Sequence, residues 1–224
     1  MCDKALLKYS KVVMNNNEHL ESLQQIRSMM ERSSRFISLS GLSGVAAGIV
    51  ALVGVAMAFV YLDVKPFTGP YSHLAESGYE KWGLSFYEFF ALDGALVLLL
   101  ALAAGIFFTT RKAVKKGQKV WDKLTWRLLI NLAIPLVTGA IFCLALLKYG
   151  MFGLIAPTTL IFYGLSLING SKYTLNDIRY LGVTEIILGM IGLFNIGYGL
   201  EIWAIGFGLM HIVYGTFMWM KYER

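Results

Sequence analysis

The sequence predicts an all-α, polytopic membrane helix bundle: six transmembrane helices, preceded by an N-terminal cytoplasmic helix. Three observations carry that expectation. Hydrophobic residues make up 57% of the 224 positions and charged residues only 15%, where an ordinary soluble domain carries about 25% charged. Six stretches stay apolar for roughly the 20 residues a helix needs to cross hydrocarbon. Basic residues are dense in alternate connections and sparse in the others, as the positive-inside rule requires.

The first 35 residues read as a cytoplasmic tail, and residues 36–224 as the transmembrane domain. Within the tail, Asn17–Arg35 reads as a helix, with Leu23, Ile26 and Met30 along one face. Its other face mixes Glu18, Glu21 and Glu31 with Arg27 and Arg32, unlike a strongly basic surface-binding helix. It is a candidate contact surface, too short in apolar register to define a coiled coil. The first apolar run begins near Phe36, after a long polar lead, and exceeds the h-region of a signal peptide. It is expected to remain as an anchor.

The expected spans are Phe36–Leu62, Phe86–Thr110, Leu128–Leu147, Met151–Ile168, Ile178–Tyr198 and Ile202–Met220. Pro135 and Pro157 are expected to kink the third and fourth. With both termini inside, all but three of the 20 basic residues fall on the cytoplasmic side, the exceptions being Lys65, Lys81 and Lys148. The long outer connection, about Asp63 to Ser85, holds Phe67, Tyr71, Tyr79 and Trp82. Rings of that kind favour the headgroup boundary, and the alternative reading is an external ligand lid. No internal repeat relates the two halves.

The net charge of +6 points to lipid headgroups rather than nucleic acid, because the basic residues flank apolar spans and no nucleic-acid motif accompanies them. The bilayer is therefore the expected partner, with a cytoplasmic protein or a second copy of the chain as further candidates. Cys2 and Cys143 fall in different compartments, so they are expected neither to pair nor to build a zinc site. A single Cys2 without a motif does not establish lipidation. His19, His73 and His211 are assigned to cytoplasm, exterior and membrane, which removes a shared metal site. There is no GxSxG, HExxH, Walker or CxxC pattern. No cofactor, metal or catalytic residue is expected, and the chain reads as a non-enzyme.

The chemistry-bearing candidates are polar residues inside the membrane. Glu185 lies six residues past Arg179, about 9 Å deep at 1.5 Å per residue. Gly182, Gly189 and Gly192 share its helical face, and glycines let helices approach closely, so Glu185 is expected to face the bundle. In the last span Gly208 and Gly215 flank His211 in the same way. Tyr214, Asn131, Ser166 and Asn169 complete the candidate polar site, all in the cytoplasmic half. Gly44 and Gly48 form a GxxxG for internal packing or dimerisation. Two readings of Glu185 and His211 stand side by side: a polar lock between helices, or binding and proton transfer. If the two pair, they form a pH-sensitive hinge between the last two helices.

Three segments carry a resemblance. ERSSRFISLSGLSGVAAG at Glu31–Gly48, NGSKYTLNDIRYLGVTEIILG at Asn169–Gly189 and WAIGFGLMHIVYG at Trp203–Gly215 resemble a recurrent pattern in uncharacterised Bacteroidetes-type membrane proteins. The resemblance covers the first span and the last third. It implies a six-helix protein of a bacterial inner membrane, with no activity or site residues to carry over. Its members' proximity to small winged-helix regulators implies a regulatory setting. The function expected is thus a membrane sensor, assembly or regulatory protein with cytoplasmic contacts. The alternative is a small-solute or proton-coupled transporter using Glu185 and His211.

Overall fold

The computed structural model describes residues 39–224, apart from 70, 72, 116 and 118–120. The expected helix Asn17–Arg35, Cys2, His19 and the start of the first expected span at 36–38 lie outside the described residues. Six main helices make up the fold: α1 (Gly41–Leu62), α2 (Phe86–Lys115), α3 (Lys123–Lys148), α4 (Ile155–Gly170), α5 (Asp177–Phe194) and α6 (Gly199–Tyr222). A 3₁₀ turn precedes α4 at Phe152–Leu154 and another follows it at Ser171–Tyr173. Residues Ala204–Met210 of α6 are wound as π-helix.

Five of the described helical segments, rather than six, are long and apolar enough to cross a membrane: α1, α2, α3, Phe152–Tyr173 and α6. This corrects the expected architecture of six spans; the N-terminal helix expected beside them lies outside the described residues. The expected fifth span, Ile178–Tyr198, is the 18-residue helix α5, which stops at Phe194 where the chain turns. It carries Asp177, Arg179 and Glu185 in that short length. Ionisable groups are costly against lipid, and α5 is covered by protein along one face.

Glycine decides how closely the helices meet. α1 lies antiparallel on α6: a Cβ at Gly44 would stand 3.2 Å from the Gly215 Cα, and one at Gly48 would stand 2.6 Å from the Gly208 carbonyl oxygen. The expected GxxxG is thus an internal contact. α4 and α5 meet at Gly164 and Gly182, each of which a Cβ would drive to within 2.7 Å of the other's carbonyl oxygen. Gly189 faces Ile161 and the Pro157 carbonyl, and Gly192 faces the Pro157 ring. Pro157 is the third residue of α4. In a first turn its missing N–H has no helical acceptor to lose, so it starts the helix rather than interrupting it. Pro135 does lie inside α3.

The outer helices are α2 and α3. Only 11% of the span window of each is buried, against 39% for α1, and Leu99, Ile106, Ile134 and Ile141 stand exposed along them. In lipid such exposure has no cost, because the tails are as apolar as leucine.

Helix association here rests on backbone contact. Gly164→Val should therefore lower the thermal stability of the detergent-solubilised protein by about 1–3 kcal/mol, since its Cβ meets the backbone of Gly182 and Ile186. Gly105→Ala, which meets nothing within 4 Å, should be neutral or stabilising by up to about 1 kcal/mol. Equal melting curves for the two variants would contradict this packing.

Candidate functional site

The antiparallel order places two ends of the bundle in clear contrast. Arg111, Lys112, Lys115, Lys123, Arg127, Lys172, Arg179, Lys221 and Arg224 gather at one end, and Lys65, Lys81 and Lys148 belong to the other. Ser40 and Glu223 meet at the first end, so the described chain begins and finishes there.

Between the ends lies Glu185, on α5, with 0% of its surface exposed. Its Oε1 is 3.4 Å from His211 Nδ1, an ion-pair distance without the alignment of a hydrogen bond. Neither carboxyl oxygen has a hydrogen-bond partner among the described residues. The imidazole is better provided for. Its Nδ1 lies 3.1 Å from the Gly206 carbonyl oxygen, and its Nε2 lies 2.8 Å from Tyr163 Oη. Gly206 sits inside the π segment, a rare winding that is frequent at functional sites. A Cβ at Gly206 would collide with Glu185 Oε2 and Leu160 Cδ2, so glycine there lets the carboxyl lie against the backbone.

Other sequence-selected residues are placed elsewhere. Tyr214 Oη meets Thr184 Oγ1 at 3.4 Å, beside this array. Ser166 donates to the Leu132 carbonyl at 2.7 Å, and Asn169 donates to the Asn131 carbonyl at 2.8 Å. Asn131, Ser166 and Asn169 therefore tie α3 to α4 and do not join Glu185 and His211 in one pocket. Tyr163 is the member that sequence reasoning missed: on α4 it is one aromatic residue among many, and only the fold brings it to His211.

Three further carboxylates were also missed. At the Lys-poor end Glu201, in the first turn of α6, is 4% exposed. It accepts from Phe67 N at 2.9 Å and from the Tyr71 hydroxyl. The connection 63–85 is thereby drawn over that end as a strap. Burial and then the bond to Glu201 push the Tyr71 hydroxyl well above its ordinary value. The rest of the strap is an aromatic cluster. Tyr61 stacks on Phe89 with centroids 3.8 Å apart and donates to the Leu84 carbonyl. Glu80–Lys81 and Leu84–Ser85 form a two-stranded hairpin turning at Trp82 and Gly83, both at positive φ, which fits a two-residue hairpin turn. The connection expected at the headgroup boundary, or as a ligand lid, is thus an anchored strap at the Lys-poor end.

At the Lys-rich end Glu223 accepts from Gly41 N at 2.6 Å, from Ser40 Oγ at 3.2 Å and from Lys112 Nζ at 3.2 Å. One carboxylate caps the start of α1 and joins it to the ends of α2 and α6. Nearby, Asp177 accepts from Lys221 Nζ at 2.9 Å and from Tyr222 Oη at 2.6 Å. Burial alone would raise the Asp177 carboxyl, but the Tyr222 hydroxyl and Lys221 ammonium hold it below its ordinary value of 3.8.

Among the described residues no group of three or more His, Cys, Asp or Glu side chains could hold a metal ion. The fold and these buried charges define a multi-pass helical membrane protein. No family model, curated protein or solved structure matches the chain, so the resemblance noted in the sequence retains only its coarser content, a polytopic helical membrane protein.

Two outcomes follow. Tyr71→Phe should loosen the strap, seen as faster hydrogen exchange at residues 63–85 with the exchange of α4 and α5 unchanged; equal exchange in the strap would refute the latch. The lowered Asp177 carboxyl stabilises the fold above the unfolded value of 3.8, and that stability is lost as pH falls through the lower folded value. Asp177→Asn should cost about 1 kcal/mol near neutral pH, modest because Lys221 is half exposed, and should flatten the acid limb of the stability curve. A variant with the wild-type acid limb would remove Asp177 from this role.

Proposed function

We propose that the protein is a non-enzymatic membrane sensor or assembly protein of a bacterial inner membrane, read out through contacts at its Lys-rich, cytoplasmic end. The observation that carries this reading is the Glu223 clasp. It joins the start of α1 to α2 and α6. Whatever moves α6 against α1 is therefore felt at the first described helix, next to residue 39. The density of Lys and Arg at that end supports a cytoplasmic orientation of both termini. The strap over the opposite end supports a sealed bundle, since its buried carboxylate is satisfied by the chain itself.

The second reading, proton-coupled permeation, draws support from Glu201. A buried carboxylate at the Lys-poor end extends the polar groups of the α5–α6 seam farther along the bundle than the sequence suggested.

Chemical cross-linking in native membranes, followed by affinity isolation, separates the two. A sensor or assembly protein should retain a defined partner, or a second copy of itself, that is lost when residues 1–30 are deleted. Purified protein in liposomes should then show no proton flux above empty vesicles. Isolation of the chain alone, or a flux abolished by Glu185→Gln, would overturn the first reading in favour of permeation or neither.

A further inference from the structure

The Glu185 carboxyl presents a mismatch that its neighbours do not share. Glu201 is almost as buried and accepts two hydrogen bonds; Glu223 accepts from three groups. Those are surroundings for a carboxylate anion. Glu185 is fully buried with no donor among the described residues, and a charge left in that condition is strongly destabilising.

The hydrogen bonds of His211 are met without Glu185 when the imidazole is neutral. Gly206 offers a carbonyl, which only accepts, so Nδ1 at 3.1 Å carries the hydrogen and donates. In a neutral ring Nε2 is then the acceptor, and the Tyr163 hydroxyl donates to it across 2.8 Å; in imidazolium Nε2–H would donate to that hydroxyl instead. The neutral form thus satisfies both nitrogens and leaves the Glu185 carboxyl outside its hydrogen bonds. The titratable groups facing the carboxyl are Tyr163 from α4 and His211 from α6. Across α6, α1 contributes Gly48 and Leu52 to Gly208, and α1 has no charged residue at all.

We propose that Glu185, His211 and Tyr163 form a proton-binding site, in which one proton resides on Glu185 as a carboxylic acid at neutral pH. The ligand is the proton itself. Its release leaves a carboxylate against the Gly206 backbone, in the π-wound part of α6, and the nearest group able to answer that charge is the His211 imidazole. Taking a proton there costs Nε2 its acceptor role toward Tyr163 and redirects Nδ1–H from Gly206 to Glu185. The site thus couples proton occupancy to the bonding of α6 with α4. It does not require a cytoplasmic partner, so it stands or falls separately from the sensor reading.

Infrared difference spectroscopy on the full-length protein in lipid nanodiscs tests this. Wild-type protein grown with 13C-carboxyl glutamate should show, at neutral pH, a protonated-acid C=O stretch displaced by the label. Glu185→Gln should remove that band and Glu201→Gln should leave it. The labelled wild type makes the assignment to glutamate even if a variant fails to fold. Absence of a label-sensitive acid band in the wild type would overturn the proposal, as would a band that survives Glu185→Gln. So would a band that is missing in the wild type and present in His211→Gln, because that pattern is an ionised Glu185 paired with imidazolium.

Discussion

Close backbone contact at glycine is the constraint on which the rest of this structure depends. In a bilayer, helices gain little by hiding apolar side chains from tails that are equally apolar, so association rests on packing at short range and on hydrogen bonds. The bundle has two such seams. Gly44 and Gly48 of α1 lie on Gly215 and Gly208 of α6, and Gly164 of α4 lies on Gly182 of α5. Helices held at that distance bury what lies between them, as they do Glu185. Once buried, a carboxyl that would be unremarkable in water must be bonded, paired or neutral. The chemistry of Glu185 is therefore a consequence of the glycines around it.

The same constraint explains why α5 differs from the spans. It carries three ionisable residues and leans on α4 through Gly182, Gly189 and Gly192. Its Glu185 is turned to α6, where Gly206 makes room. A helix that must present small residues to one neighbour and a carboxyl to another gives up the uniform apolarity of a lipid-facing span. α2 and α3 show the opposite solution: apolar around most of their circumference, they each take one main neighbour and face lipid elsewhere.

How much of this could be read from the residues alone follows from the range of the interactions. Helix positions, the small-residue face of Gly44 and Gly48, and the inward aim of Glu185 and His211 are periodic, and periodicity is visible in a single chain; whether that glycine face packs internally or between copies is not. The span count went astray because α5 was judged by its apolar stretch and not by the charges it includes. The partners were out of reach for another reason. Tyr163 meets His211 across 48 positions of sequence, Tyr71 meets Glu201 across 130 and Glu223 meets Ser40 across 183. Nothing local marks such pairs. Asn131, Ser166 and Asn169 were grouped with Glu185 because they share its depth, but depth does not fix the seam, and they serve α3 and α4 instead.

Three carboxylates along α6 and its neighbours show how local bonding sets different roles for one functional group. Glu223 takes the free N–H of a helix start and a lysine, so it is an anchor at one end. Glu201 takes a backbone N–H and a phenol from the strap, so it is a latch at the other. Glu185 lies between them with an imidazole already committed elsewhere. The two outer carboxylates are fixed by donors that their surroundings supply, and an added proton would only break those bonds. The middle one lacks donors, so a proton there removes a charge that no hydrogen bond answers. Because His211 belongs to the same helix as Glu201, and Glu223 directly follows that helix, a change in that proton acts on α6 beside its π-wound segment.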